Sequence, residues 1–201
     1  MATILFKNGR IITPTGIYHG DVRVENRIIQ HIYFNEECKE GADVVIDLNN
    51  QYLSPGFIDI HTHGAGGADF MDQTEESLYQ ACYTHMKHGT TSIVPTTLTS
   101  TRESLKEFLE FFDTIQLEKD GMPNILGLHL EGPYFANSQR GAQDPKYLRN
   151  PDPEEYMDAL TCSNRILRWS FAIELPGSEE FLKELRKHHI ISSLAHSDST
   201  C

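Results

Sequence analysis

Along the first fifty residues the apolar positions come in short runs separated by turn formers. Runs at 4–6 and 10–12 flank Lys7-Asn8-Gly9, runs at 21–24 and 28–34 flank Glu25-Asn26-Arg27, and a further run spans 44–48. Such punctuation predicts strands, and Asn-Gly tolerates the positive backbone angles of a two-residue hairpin turn. Residues 1–53 therefore read as a small antiparallel β module without a helix.

From residue 54 the pattern changes to strand, loop, helix, strand. The apolar run Phe57, Ile58, Ile60 ends in His61-Thr62-His63 and the glycines Gly64, Gly66 and Gly67, which suit a backbone passing close to a ligand. Leu78, Ala81, Cys82, His85 and Met86 recur at helical spacing over 75–88, with Gly89 as the stop. A strand follows at 91–97. Ser100-Thr101-Arg102-Glu103 has the form of a capping box, and Leu105, Phe108, Leu109, Phe112 and Ile115 make the buried stripe of the helix it opens. Strands at 124–134, 166–175 and 190–197 alternate with helices opened by Asp152-Pro153 and spanning 179–188.

Five strands alternating with four helices predict a parallel sheet with right-handed connections. At roughly 30 residues per βα unit, residues 54–201 hold about five units, and a closed eightfold barrel needs about 250 residues. The expected fold is α/β: a partial (β/α)8 barrel over 54–201 behind the β module of 1–53.

Composition narrows the partners. A net charge of −12 over 201 residues, without a lysine- or arginine-rich run, argues against nucleic acid and anionic membranes. It leaves room for a small phosphorylated substrate in a locally basic pocket. Cys38, Cys82, Cys162 and Cys201 form no Cys-x-x-Cys pair and read as free thiols of a reducing cytoplasm. The start of the chain turns polar too soon for a signal peptide, and no stretch reaches the eighteen or so apolar residues of a membrane span. The expectation is a soluble cytoplasmic protein.

The unusual polar residues gather at the carboxyl ends of the predicted strands. Alternation along a strand places Asp59, His61 and His63 on one face, with Ile58 and Ile60 on the other. Glu131 ends the third strand and His196 the fifth. In a βα barrel this is the face where the active site is built. Three imidazoles and a carboxylate suit Zn²⁺, and Fe²⁺ uses the same ligand types. Such a centre supports amide hydrolysis near neutral pH. His129 shares a face with Glu131 but lies deeper and reads as structural. His19 and His31 read as surface or turn residues, and His85, His88, His188 and His189 as helix-surface or cap residues.

The motifs PGFIDIHTHG, HLEGPY, RGAQDP and AHSD, in this order and spacing, resemble the N-acetylglucosamine-6-phosphate deacetylases of the amidohydrolase superfamily. The resemblance implies a (β/α)8 barrel with a small β-sandwich built from both ends of the chain. It also implies Glu131 and His196 as ligands of the main metal, and His61 and His63, with Glu131 bridging, as a second site that some members keep. Ala142 and Gln143 fall where the family's loop touches substrate, although position 143 is histidine in some members. The implied reaction releases acetate from the amino-sugar phosphate, and the implied partner for full-length members is a second copy in a homodimer. The family's proton-shuttling aspartate and remaining histidine ligand fall beyond Cys201, so the expectation is the N-terminal half of such an enzyme. Hydantoinases and dihydroorotases commonly bridge two metals with a carboxylated lysine on the fourth strand, whereas 166–175 holds Arg168 and no lysine. Two other readings remain: an amidohydrolase acting on a cyclic amide, and a non-catalytic metal- or sugar-binding remnant.

Overall fold

The computed structural model describes residues 2–200, which leaves Cys201 and its expected thiol outside the described residues. The contacts divide the chain after Gly56 into two compact units. In the first, β1 (Thr3–Thr13), β2 (Gly16–Glu25), β3 (Ile28–Phe34), β4 (Val44–Asp47) and β5 (Tyr52–Leu53) form one sheet. β1, β2 and β3 run antiparallel in sequence order, while β4 and β5 pair with β1 in parallel. The Asn8-Gly9 hairpin does not form. β1 runs straight through it with a register shift between Phe6 and Gly9, and Asn8 sits at φ 57. The left-handed tolerance of asparagine serves a bulge as well as a turn, and the chain reverses instead between Thr13 and Gly16. The second turn forms as expected, with Asn26 at φ 52 and Arg27 at φ 66.

This unit has a thin interior. Leu5, Ile11, Val22 and Cys38 are buried, together with one carboxylate, Asp21, which is 2% exposed. Asp21 accepts the backbone N–H of Asn8 at 2.9 Å and of Cys38 at 2.8 Å, so it ties the bulge to the loop after β3.

The second unit alternates strands and helices. β6 (Phe57–Thr62) leads through the short hairpin β7 (Gly64–Ala65) and β8 (Ala68–Asp69) to α1 (Glu75–Met86), then β9 (Thr90–Pro95) and α2 (Arg102–Thr114). β10 (Asn124–Ile125), β11 (Leu128–Glu131), α3 (Pro153–Cys162), β12 (Ile166–Phe171), α4 (Ser178–Lys187) and β13 (Ile191–Leu194) complete it. β10, β9 and β6 form one parallel sheet and β11, β12 and β13 another, with a parallel bridge from Thr96 to His129.

The strand expected over 124–134 is thus split at Leu126-Gly127. A side chain at Gly127 would lie 2.8 Å from Leu167 Cβ and 2.9 Å from the Arg165 carbonyl, so only glycine lets the chain cross here. The glycines after His63 serve a hairpin. A side chain at Gly66, which turns at φ 64, would meet Thr84 of α1 at 2.3 Å, so the close approach is to a helix.

The helix starts are held by local chemistry. The Thr74 hydroxyl accepts from Ser77 N–H, Thr101 from Ser104 N–H, and Asp152 from both Glu154 and Glu155. The cap of α2 is therefore Thr101 and not Ser100, one residue later than the capping-box pattern suggests. All five apolar stripe residues of α2 are buried. Across the unit, Phe181 of α4 packs within 5.1 Å, ring to ring, of Tyr134, Tyr156, Trp169 and Phe171. Each such side chain contributes roughly 1.5–3 kcal/mol by leaving water, and this core fixes the strand ends. β6 and β13 are edge strands of their sheets, and Phe57, Ile58, Ile60, Ile191 and Leu194 are exposed on them.

Candidate metal centre

Four of the expected site residues converge. His61 lies in β6 and His63 just after it, Glu131 closes β11, and His196 follows β13. Glu131 is the hub and is 3% exposed. Its Oε1 lies 3.3 Å from His61 Nε2 and 3.3 Å from His196 Nε2, and its Oε2 lies 3.2 Å from His63 Nε2. The candidate ligand atoms of His61, His63 and Glu131 all lie within 4.8 Å of one another.

Backbone carbonyls set the orientation of two of the rings. His196 Nδ1 is 2.7 Å from the Gln139 carbonyl, and His63 Nδ1 is 3.2 Å from that of Thr96. A carbonyl only accepts, so each Nδ1 carries the proton, and in the neutral ring Nε2 turns a lone pair on the carboxylate. Lone pairs facing a carboxylate at this range repel unless protons or a shared cation lie between them. Two ligand atoms about 2.0–2.1 Å from one tetrahedral ion are roughly 3.3 Å apart, which matches the separations here. Imidazole and carboxylate donors, with carbonyls behind the imidazoles, thus fit a divalent metal ion.

The charges respond to one another. The His63 imidazolium donates to Glu131, which raises its pKa over the opposing effect of burial. His61 goes the other way, because its loss of water outweighs the attraction of Glu131, and His63 beside it adds repulsion. Burial by itself would push the Glu131 carboxyl up, yet the hydrogen bond from His63 and the charges of three histidines hold it below the usual range.

Behind the centre, His129 is fully buried, with Nε2 2.7 Å from Ser170 Oγ and its ring 5.0 Å from that of His61. Burial, with Arg168 and His61 nearby, drives its pKa down to about 3, so it stays neutral. His85 is not simply a helix-surface residue. Its Nε2 meets Thr62 Oγ1 at 3.0 Å and its Nδ1 lies 3.7 Å from Asp59. Asp59 therefore meets α1 instead of sharing the face of His61 and His63. The register of β6 against β9 shifts between Asp59 and Thr62, and strict alternation breaks there.

Ala142 is exposed, whereas Gln143 is buried, and its amide is bonded at both ends. The turn at Asn137–Gln139 supplies the carbonyl for His196 and is latched by Asp198, which accepts from Ser138 Oγ and, at 2.7 Å, from Gln139 Nε2. Arg149 grips Glu155 through two bonds of 2.5 and 2.8 Å and also donates to the Ser100 and Tyr147 carbonyls, which pins the same long loop. Gln139, Asp198, Thr96 and His85 were not among the expected functional residues. Most of their partners lie more than twenty residues away in sequence, so no local spacing signals them.

Parallel strands alternating with helices, with imidazoles and a carboxylate gathered at strand ends, define a mixed α/β protein with a candidate metal centre. The amidohydrolase family profile matches residues 52–170, more than half of the chain, and the chain belongs to that family, whose members are metal-dependent. It is 32% identical over 183 residues to the N-acetylglucosamine-6-phosphate deacetylase of Lysinibacillus sphaericus, covering 87% of this chain and 44% of that protein. It is 31% identical over 204 residues to the human protein of the same name, covering 96% and 48%. The crystal structure of the Pasteurella multocida deacetylase superposes with a TM-score of 0.85 at 30% identity, covering 98% of this chain and 52% of that one. The chain spans about half the length of the curated relatives it matches. No helix among the described residues is long and apolar enough to cross a membrane.

Proposed function

We propose that the protein serves the metal-dependent hydrolysis of N-acetylglucosamine 6-phosphate to glucosamine 6-phosphate and acetate. The observation that carries this reading is the convergence of His61, His63 and His196 on the buried carboxylate of Glu131, in a chain similar to relatives named for that reaction. On this reading Glu131 and His196 would hold the main metal, and His61 and His63, together with Glu131, would hold a second. The metal is Zn²⁺, and Fe²⁺ can use the same ligands. When bound, it supplies an activated water and polarisation of the acetamide carbonyl. The chain's own residues aim the donors: the Gln139 and Thr96 carbonyls fix which nitrogens of His196 and His63 face inward. Exposed Ala142 lies on the loop assigned to substrate contact, and Gln143 beside it is assigned there too. We further assign the parallel strands to part of a (β/α)8 barrel and the first unit to part of a small β-sandwich. The protein is read as cytoplasmic, with full-length members forming homodimers. The test is acetate release from N-acetylglucosamine 6-phosphate by the Zn²⁺- or Fe²⁺-loaded full-length protein, beside a His196→Ala control. Release that is lost on chelation and in the control is expected. Metal binding without release, or turnover of dihydropyrimidines instead, overturns the reading.

A further inference from the structure

The buried amide of Gln143 has a fixed orientation. Its Oε1 is 3.0 Å from the backbone N–H of Thr99, which can only donate, so the oxygen must face Thr99 and the NH₂ group must face Glu131. There Nε2 donates to Glu131 Oε2 at 2.8 Å. The residue is 5% exposed, and its own carbonyl is held by Arg140 at 3.2 Å, so neither the side chain nor its backbone is free to swing. The two oxygens of Glu131 are consequently unlike. Oε2 spends one lone pair on a neutral N–H and has His63 as its remaining neighbour, while Oε1 faces His61 and His196 and carries no such fixed donor.

We propose that Gln143 is a positioning residue of the metal centre: its amide holds Oε2 and presents Oε1, the oxygen between His61 and His196, as the principal ligand atom of Glu131. This rests on the reading of Glu131 and the three histidines as metal ligands, and it gives Gln143 work that does not depend on touching substrate. A carboxylate held by a fixed donor loses less freedom when an ion binds, and supporting partners of this kind are typically worth about 10–100-fold in metal affinity.

The experiment is calorimetric titration of the metal-stripped protein with Zn²⁺, comparing wild type with Gln143→Met, Gln143→Leu and Gln143→His. Methionine and leucine keep an apolar bulk without the amide, and having both guards against one failing to fold, which circular dichroism reports. Histidine offers an acceptor and a donor nitrogen on one edge, spaced much as in the amide, so it can accept from Thr99 and donate to Glu131 together. Expected is a loss of about 10–100-fold in Zn²⁺ affinity in the folded apolar variant, largely restored by histidine. Unchanged affinity in a folded apolar variant, with only a raised KM for the acetylated sugar phosphate, overturns the proposal and leaves Gln143 a substrate contact. Absence of Zn²⁺ binding by the wild-type protein is a different failure, because it removes the metal reading itself and the proposal with it.

Discussion

Each unit buries a carboxylate almost completely, Asp21 at 2% exposure and Glu131 at 3%, and the two are surrounded in opposite ways. Asp21 faces backbone N–H groups, which are donors in every protonation state and belong to the chain's own path. Its charge is spent on holding a bulge and a loop. Glu131 faces three imidazole nitrogens whose character depends on what else is bound, and one side-chain amide. A carboxylate satisfied by main chain is a structural pin, whereas one ringed by titratable nitrogens is poised for chemistry. Burial alone does not separate the two cases. The identity of the neighbours does.

The largest expected effect is at Glu131. Glu131→Gln keeps the shape, can still bond near Gln143 and His63, and removes the charge that a cation would share with His61 and His196. Zn²⁺ affinity should fall by more than the roughly 10–100-fold typical of a supporting partner, with the far-UV circular dichroism unchanged. Retention of full affinity would make Glu131 a pin like Asp21 and erase the contrast. The converse substitution, Asp21→Ala, leaves two donors unpaired and should cost about 1–3 kcal/mol for each, read as an earlier urea midpoint of the first unit. Zn²⁺ affinity should stay within error of wild type. A stability loss without change in metal binding sharpens the comparison, and loss of both abolishes it.

The Glu131 side of this contrast was legible from sequence and the Asp21 side was not, and what was illegible has a common cause. The stripe of α2 and the Asp152-Pro153 helix start depend on neighbours within a turn, so period and capping chemistry read them correctly. His61, His63, Glu131 and His196 stood out because polar residues ending apolar strands are unusual. Asn8-Gly9 misled because one backbone preference serves both turn and bulge. The break at Gly127 and the part played by His85 depend on residues that approach from 38 or more positions and 23 positions away. A local reading sees a glycine in a strand and a histidine on a helix, and cannot see what they meet. The same holds for Gln143, whose neighbours Thr99 and Glu131 are 44 and 12 residues distant.

The smallest expected effect is the alkaline limb of the pH dependence of the metal-free protein, and its sign follows from the histidines. The pKa of His63 is raised by its bond to Glu131. The stability this contributes is complete below the ordinary imidazole value of about 6.5, and it is lost as pH rises through the higher native value. His61 and His129 are depressed, His129 to about 3, so the unfolded chain takes up protons below about pH 6.5 that the native state refuses. Stability from these two is therefore lost as pH falls below that value. Glu131, held low, adds to the acid loss only below its unfolded range of about 4.3. Together they place a maximum near pH 6.5 in the melting temperature of the second unit. The alkaline limb belongs to one partly exposed imidazole, so solvent screening keeps it to a few degrees at most, where about 1 kcal/mol corresponds to roughly 2–4 °C. His63→Ala should flatten that limb and leave the acid limb in place. An alkaline limb that survives His63→Ala would mean that the imidazoles around Glu131 do not respond to it, and the two buried carboxylates would then differ in surroundings without differing in behaviour.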